Sequence, residues 1–495
     1  MTGLLHDLRA GAPTGGRPRS RRGLLALLRF CLGAMLIGSA AMLLGVSHIG
    51  AGLVAVAMLT AVFLLPVEYA IVSVAFGQVM LTAFRMVDVW FGFYFRWIIL
   101  FLGVIVCIAR VRGVPRNYPG PSRSVFVTLM WCYALAAAST VMTSIVPSLS
   151  ALKALTLIAM VLFCETASRW LAEEAGPLAV RRLGRGWVLF TMPCLILSIV
   201  FWLRGDSASY SDGGFLGTTG NTNSFGALVA FLLPLLAARF FGGRLRFSGS
   251  FLPWAVFLVT IVYLLYISRS RASLFAFAVS LVVCYFIEPR SQIFRLAAGG
   301  GVVMLLFVLA RPEASYHAIE RFAYKGSAEY GILGSRLGLW QASMRDFLDN
   351  PLMGIGYGIT NSREASWQVE NATRPFKEER GSSPLAVLSQ VGLLGGLPFL
   401  GAILLVAVRS VLFARRVHDP WLTAMAASVW AGIANSLFEG WMPSVGSGLL
   451  WLLLTQCFVL DAVLSRFRPP RPAAVPLPWL TRCPLGDSVP VAAGD

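Results

Sequence analysis

The sequence predicts an all-α polytopic membrane protein with about 12–14 transmembrane helices and one long external loop that contains an amphipathic helix. Three observations carry that expectation. Hydrophobic residues make up 57% of the chain and charged residues 13%. The apolar residues come in blocks of roughly 17 to 24, matching the roughly 20 residues a helix needs to cross the hydrocarbon core. The basic residues fall in short connections between those blocks rather than on a soluble face. Lipid cannot satisfy backbone hydrogen bonds, so a span is a helix or part of a closed barrel. Continuous apolar runs without period-2 alternation point to helices.

In chain order, residues 1–23 form a basic segment that includes "RAGAPTGGRPRSRRG". It has the flavour of a signal-peptide start, but the apolar run behind it is long and offers no small-residue cleavage site. A retained cytoplasmic N-terminus is expected. A helical bundle is expected over residues 24–310, with spans near 24–46, 49–65, 67–84, 95–110, 124–145, 150–171, 187–203, 224–240, 251–268, 272–288 and 294–310. Pro66 and Glu68 weaken the second and third of these. Residues 311–384 form a loop far longer than a connection requires, and loops of that kind are usually functional. C-terminal spans follow over 385–464, near 385–408, 421–437 and 447–464, and the Pro-, Ala- and Val-rich tail 465–495 reads as a disordered cytoplasmic end.

A formal net charge of +18 raises the question of nucleic acid. The placement of the charge answers it. With the N-terminus inside, the connections assigned to the cytoplasm are "RVRGVPRNYPGPSR" (110–123), "RRLGRG" (181–186), "RFFGGRLR" (239–246), "EPRSQIFR" (288–295), "RSVLFARR" (409–416) and "RFRPPRP" (466–472). Every one is basic, so the charge orients the chain in a bilayer and no nucleic-acid partner is expected. The opposite face receives "SHIG" (47–50), residues 85–96, "VPSLS" (146–150), 204–224, 268–271, 311–384 and "EGWMPSVG" (439–446), and chemistry is to be sought there. The eight cysteines form no CxxC or Cys/His cluster, so neither a structural disulfide nor zinc is expected, and no cofactor is implied.

Four stretches on that face could carry chemistry. In "YISRSRASLFAF" (266–277), Arg269 and Arg271 stand where two spans meet almost without a loop. Snorkelling is the ordinary role for such residues. The positive-inside bias disfavours them here, and an intramembrane charge costs roughly 2.5–3.5 kcal/mol, so an anionic ligand is expected to offset them. Arginine fits that task, because its planar fork meets phosphate oxygens bidentately at any working pH. The segment "GFLGTTGNTNSFG" (214–226) enters a span through Asn223 or Ser224, as an ordinary N-cap or as a helix start aimed at a phosphate or sugar.

From Ser335 to Leu348 apolar residues recur at helical spacing, and "DNP" followed by "GIGYG" stops the helix, which predicts an amphipathic helix on the membrane surface. Arg336 and Trp340 lie one turn apart on it, either as an interfacial anchor pair or as phosphate contact and sugar-stacking platform. Glu378, Glu379 and Arg380 stand just before Ser382 and Ser383, which are expected to cap the next span. They read as a solvated charge run or as a catalytic group, in which a carboxylate takes the proton of an attacking sugar hydroxyl while arginines neutralise a leaving diphosphate. No DxD-like acidic pair occurs on this face, so a metal-dependent mechanism is not suggested.

The pieces "GNTNSFG", "SRSRAS", "GSRLGLWQASMRDFLDNPLMGIGYG" and "GSSPLAVLSQVGLLGG", in this order around a long loop, resemble the O-antigen ligase and Wzy-type O-antigen or exopolysaccharide polymerase superfamily of bacterial inner membranes. The resemblance implies a C-type glycosyltransferase fold in the inner membrane, with both termini cytoplasmic and the long loop periplasmic. It implies metal-independent glycosyl transfer from an undecaprenyl-diphosphate-linked glycan to a glycan or lipid acceptor, with diphosphate bound by Arg269 or Arg271 and by Arg336. It also leaves room for a polysaccharide chain-length regulator as a partner.

Many such ligases carry a catalytic histidine and asparagine ahead of the last long span. Counting back from "VGLLG" puts those positions on Gly381 and Ser382, and His6, His48, His317 and His418 cannot supply the histidine locally. The departure favours a polymerase over a ligase acting on lipid A and leaves Glu378 or Glu379 as the nearest base. A flippase for lipid-linked sugars, or a scaffold subunit, would also need many spans. Against transport, no internal repeat is legible and the clustered charges lie at one membrane face.

Overall fold

Residues 27, 29–35, 37, 38, 41, 47–83, 89–112, 124–205, 207–211, 214–241, 251–289, 291, 334–359 and 381–466 are described in the computed structural model of the chain. The apolar blocks are helices, as the need for internal hydrogen bonds in lipid requires. They are α1 (Ser47–Leu64), α2 (Val67–Ala83), α3 (Val89–Arg112), α4 (Val125–Ser139), α5 (Pro147–Ala175), α6 (Ala179–Arg204) and α7 (Thr222–Phe241). After these come α8 (Phe251–Ile267), α9 (Arg271–Ile287), α10 (Gly334–Asp349), α11 (Ser383–Val417), α12 (Pro420–Ser436) and α13 (Gly448–Arg466). A two-residue antiparallel pair, Tyr210–Ser211 with Gly214–Phe215, lies between α6 and α7.

Among the described residues, Val125–Met142, Pro147–Arg204, Ser383–Val417 and Gly448–Arg466 are long and apolar enough to cross a membrane, and Gly52–Leu64, Thr222–Ala238, Leu252–Ile267 and Arg271–Ile287 are shorter apolar helices. The chain is an all-α polytopic membrane protein. The expected span at 294–310 lies outside the described residues.

Local sequence sets the helix ends. Pro66 separates α1 from α2, and the Arg110 guanidinium reaches across from α3 to donate to the free carbonyls of Phe63 and Leu65. Pro147 opens α5 and Pro420 opens α12, where the Asp419 carboxylate accepts from the Leu422 N–H at 2.8 Å. Two basic segments expected as loops are instead helical: 181–186 forms early turns of α6, and 409–416 the last turns of α11. Arginine is a good helix former whose long side chain reaches water from a helix, so charge alone does not end one.

α12 packs between α7 and α9, α11 runs along α4, and α13 lies against α2 and α5. Small residues line the first of these interfaces, with Ala230, Ala276, Ala431 and Ala434 buried together. That lets the three backbones approach closely. At one end of the bundle the arginines are engaged by neighbouring elements. Arg409 pairs with Asp461 at 3.2 Å, Arg466 with Glu173 at 3.0 Å and Arg182 with Glu174 at 3.2 Å, while Arg110 lies over the Trp170 ring. Four basic connections that the sequence assigned to one membrane side contribute to this network, through Arg110, Arg182, Arg409 and Arg466.

The most constrained feature is a splice in α11. At Gly392 the backbone leaves the helix (φ 61°, ψ −164°), so the Leu393 and Leu394 N–H groups lose their helical partners, the carbonyls of Ser389 and Gln390. Residues 351–356 fill both halves of the gap. Leu393 donates to Pro351 O at 2.8 Å and Leu394 to Leu352 O at 3.2 Å, while Ile355 donates to Ser389 O at 2.9 Å and Gly356 to Gln390 O at 3.2 Å. Backbone meets backbone here, and a Cβ on Gly354 would fall 2.4 Å from the Gln390 carbonyl carbon, one on Gly392 2.2 Å from that of Leu352. The end of this segment is pinned by Tyr357 N–H to Thr140 Oγ1, Gly358 N–H to Gln390 Oε1 and Lys153 Nζ to Gly358 O.

Gly354→Ala and Gly392→Ala are each expected to lower the unfolding temperature of the purified protein by several degrees or to abolish its folded yield. Positive φ alone costs about 1–3 kcal/mol, and the added methyl collides with backbone. Gly401→Ala, a helical position with nothing within 4 Å of its Cβ, should be neutral or slightly stabilising. Thermal melts and size-exclusion profiles in detergent compare the three, and equal behaviour would count against the splice.

Candidate functional site

The candidate site lies at the end of the bundle where α7, α9 and α11 begin and α8 and α12 finish. α8 and α9 join through Ser268, Arg269 and Ser270, whose two serines are fully buried. The Ser268 hydroxyl donates to Leu265 O at 2.7 Å and accepts from the Ser270 N–H at 3.3 Å, and the Ser270 and Ser273 hydroxyls lie 2.6 Å apart. Tying the serines inward turns the arginines outward.

Arg269 takes the left-handed backbone conformation (φ 54°), uncommon for a residue with a side chain, and is exposed, with no ion pair among the described residues. Arg271 opens α9, is half-buried and lies within range of the Arg336 charge. The two arginines of this stretch therefore have different surroundings. The "GNTNSFG" segment packs on the same turn, with so little room that a Cβ on Gly226 would fall 2.7 Å from Ser270 Cβ. Asn223 sits in the first turn of α7 rather than capping it. The cap is Asn221, whose Oδ1 accepts the Asn223 N–H at 2.7 Å and whose carbonyl accepts from Phe225 at 3.0 Å.

α10 matches the expected amphipathic helix, extending one residue further at each end. Leu337, Met344 and Leu348 are exposed on one side, whereas Ser343 and Asp346 are buried on the other. An exposed apolar stripe of that kind suits a helix lying in the membrane interface. Arg336 projects from its first turn toward the start of α11, where it donates to Gly381 O at 3.3 Å and pairs with Glu439 at 2.6 Å. Trp340 stands beside it, its buried indole N–H without a partner among the described residues, packed so close to Gly381 that a Cβ there would lie 3.0 Å from Nε1.

The start of α11 is tied to the loop after α12. Ser382 occupies the N-cap position without a side-chain cap bond, and Ser383 turns its hydroxyl to the loop instead, donating to Glu439 O and accepting from the Met442 N–H at 3.0 Å. The serines expected as caps thus serve a tertiary contact. A buried chain continues from there: the Trp441 indole donates to Asn435 Oδ1 at 2.8 Å, and Asn435 Nδ2 donates to Ser273 Oγ at 3.3 Å. Arg96 of α3 lies at the far end of the same loop, its Nη1 3.4 Å from where a Cβ on Gly446 would stand.

The fold thus brings together Arg271, Arg336, Trp340 and Gly381, and it sets the start of α7 with Asn223 against the turn that carries Arg269. Glu378, Glu379 and Arg380 lie outside the described residues. Sequence reasoning missed Glu439, Asn435 and Trp441. "EGWMPSVG" was grouped with the segment that carries Arg336, but the pairing itself spans 103 positions and left no local signal.

No curated protein matches the chain. Residues 256–400 match the family model described as O-antigen ligase. The matched stretch runs from α8 through both turn arginines, α10 with Arg336 and Trp340, and the spliced segment into α11. Over this stretch the chain is similar to the O-antigen ligase family.

Proposed function

We propose that the chain polymerises undecaprenyl-diphosphate-linked oligosaccharide repeat units into exopolysaccharide or O-antigen, at the periplasmic face of the bacterial inner membrane, by metal-independent glycosyl transfer. The observation that carries this reading is the placement of Arg271 at the start of α9 and of Arg336 against the start of α11, at the same end of the bundle. Arginine binds phosphate through paired hydrogen bonds, so guanidiniums gathered at one end suit an anion with two phosphates. The periplasmic assignment is supported by the arginine-rich network at the opposite end of the bundle, since basic connections stay on the cytoplasmic side.

In the reaction an acceptor sugar hydroxyl attacks the anomeric carbon of the donor. The bond from that carbon to the diphosphate oxygen breaks, and the electron pair leaves with the diphosphate. Arg271 and Arg336 stabilise the developing charge, with Arg269 at the mouth of the site. Glu378 or Glu379 takes the proton of the attacking hydroxyl, with Arg380 beside them. Trp340 offers a ring for sugar stacking, and Asn223 in the first turn of α7 offers its side-chain amide to a sugar. A membrane-embedded glycan acceptor approaches along the exposed apolar side of α10, and a chain-length regulator is a further partner of this reading.

Transfer of the finished glycan to a lipid acceptor is the second reading, favoured by the description of the matching family. Polymerisation is preferred on account of Gly381. It takes φ 65° and packs on Trp340, so a catalytic histidine side chain at that position would be strained and crowded.

Polymer production in cells lacking the native protein tests the reading. Arg271→Ala and Arg336→Ala, at normal membrane abundance, are expected to lower polymer output about 100-fold and to accumulate lipid-linked single repeats. Exposed Arg269→Ala should cost less than tenfold. Normal polymer from all three would end the diphosphate reading. For the proton acceptor, Glu378→Gln and Glu379→Gln are compared for chain length and rate, and wild-type behaviour of both would remove the carboxylate step.

A further inference from the structure

The pairing of Arg336 with Glu439 raises a difficulty for the donor site, because the guanidinium that should bind phosphate already holds a carboxylate 2.6 Å away. We propose that Glu439 is the resident counter-anion of Arg336, displaced when the donor diphosphate binds and returning to expel the spent lipid diphosphate. The inference rests on the reading of the site as a lipid-diphosphate site.

Exchange is feasible because the pair is not sealed. The Arg336 and Glu439 side chains keep 20% and 19% of their surface exposed, so water can reach both partners. Carboxylate and phosphate present similar oxygen pairs to the arginine fork, so one can replace the other without leaving the cation bare. The loop has holds besides the carboxylate. Its backbone is held by the Ser383 hydroxyl on Glu439 O and Met442 N–H, and by the Trp441 indole on Asn435. Glu439 can therefore swing away while its main chain stays in place.

Charge favours displacement over joint occupancy. Arg336 and Glu439 neutralise each other before donor arrives. A sugar-linked diphosphate brings one negative charge on each phosphate. With Glu439 still in the fork those charges would stand beside a carboxylate in a partly desolvated place, whereas with Glu439 withdrawn the Arg336 charge offsets one of them. The same competition matters after transfer. Once the sugar has left, the terminal phosphate gains charge, and the spent lipid would bind the arginines more tightly than the donor did. A carboxylate on a fixed loop, poised to retake Arg336, offsets that product trap.

The test uses full-length protein in nanodiscs, with Glu439→Gln, Arg336→Ala and the double variant beside wild type. Affinity is measured for the undecaprenyl-diphosphate-linked repeat and for undecaprenyl diphosphate, and turnover is followed with a rapid-mixing assay. Glu439→Gln, which keeps the backbone contacts, is expected to bind both lipids about fivefold more tightly and to show a burst of product followed by slow release. In the Arg336→Ala background the same change should have no effect on affinity. Weaker or unchanged binding by Glu439→Gln would overturn the proposal, since a carboxylate that merely anchors Arg336 would weaken binding when removed. Failure of wild type to bind either lipid would overturn the donor reading itself, and the proposal with it.

Discussion

Two helical hydrogen bonds opened at Gly392, and four made in their place, hold the arrangement of the whole site. In lipid an unpaired backbone group costs several kcal/mol, so a broken helix persists there only if another segment satisfies it. Residues 351–356 do so in register, donating to the two stranded carbonyls and accepting from the two stranded N–H groups. The two backbones approach so closely that neither Gly354 nor Gly392 leaves room for a Cβ. Since Pro351 follows α10 almost directly, fixing this segment also fixes α10 beside the start of α11. Arg336 arrives at Gly381 and Glu439 as a consequence of main-chain geometry.

The two ends of the bundle differ in how they treat charge. At one end arginines meet carboxylates from other elements, as Arg466 meets Glu173 and Arg409 meets Asp461. These pairs stitch α13 to α5 and to α11. At the other end, Arg336 of α10 meets Glu439 of the loop after α12, and exposed Arg269 has no ion pair among the described residues.

Much of this was legible in the sequence, for identifiable reasons. Hydropathy blocks gave α8, α9 and α12 nearly to the residue, because an apolar run bounded by polar turns has one reading in lipid. The amphipathic spacing and the "DNP" stop gave α10, and four separated motifs were seen as one set. The basic segments 181–186 and 409–416 were read as loops because charge marks the membrane boundary, which is not the same as the end of a helix. The break at Gly392 was invisible. Glycine within an apolar run is ordinary in membrane helices, and only the partner segment reveals that this one carries a non-helical backbone. Glu439 and Asn435 were missed for a related reason, since each acts through a residue more than a hundred positions away.

A continuous buried chain runs between the supports of the two central arginines. The Ser270 and Ser273 hydroxyls, the Asn435 amide and the Trp441 indole connect the first turn of α9 to the loop that holds Glu439. Asn435 uses one end of its amide as donor and the other as acceptor, so its orientation is set by both neighbours at once. In a low-dielectric interior a satisfied chain of this kind is rigid, because releasing any member leaves a polar group unpaired. The alanines packed between α7, α9 and α12 bring the helices close enough for short side chains to bridge them. The turn that carries Arg271 and the loop whose Glu439 holds Arg336 are therefore tied to each other by the folded protein before any ligand arrives.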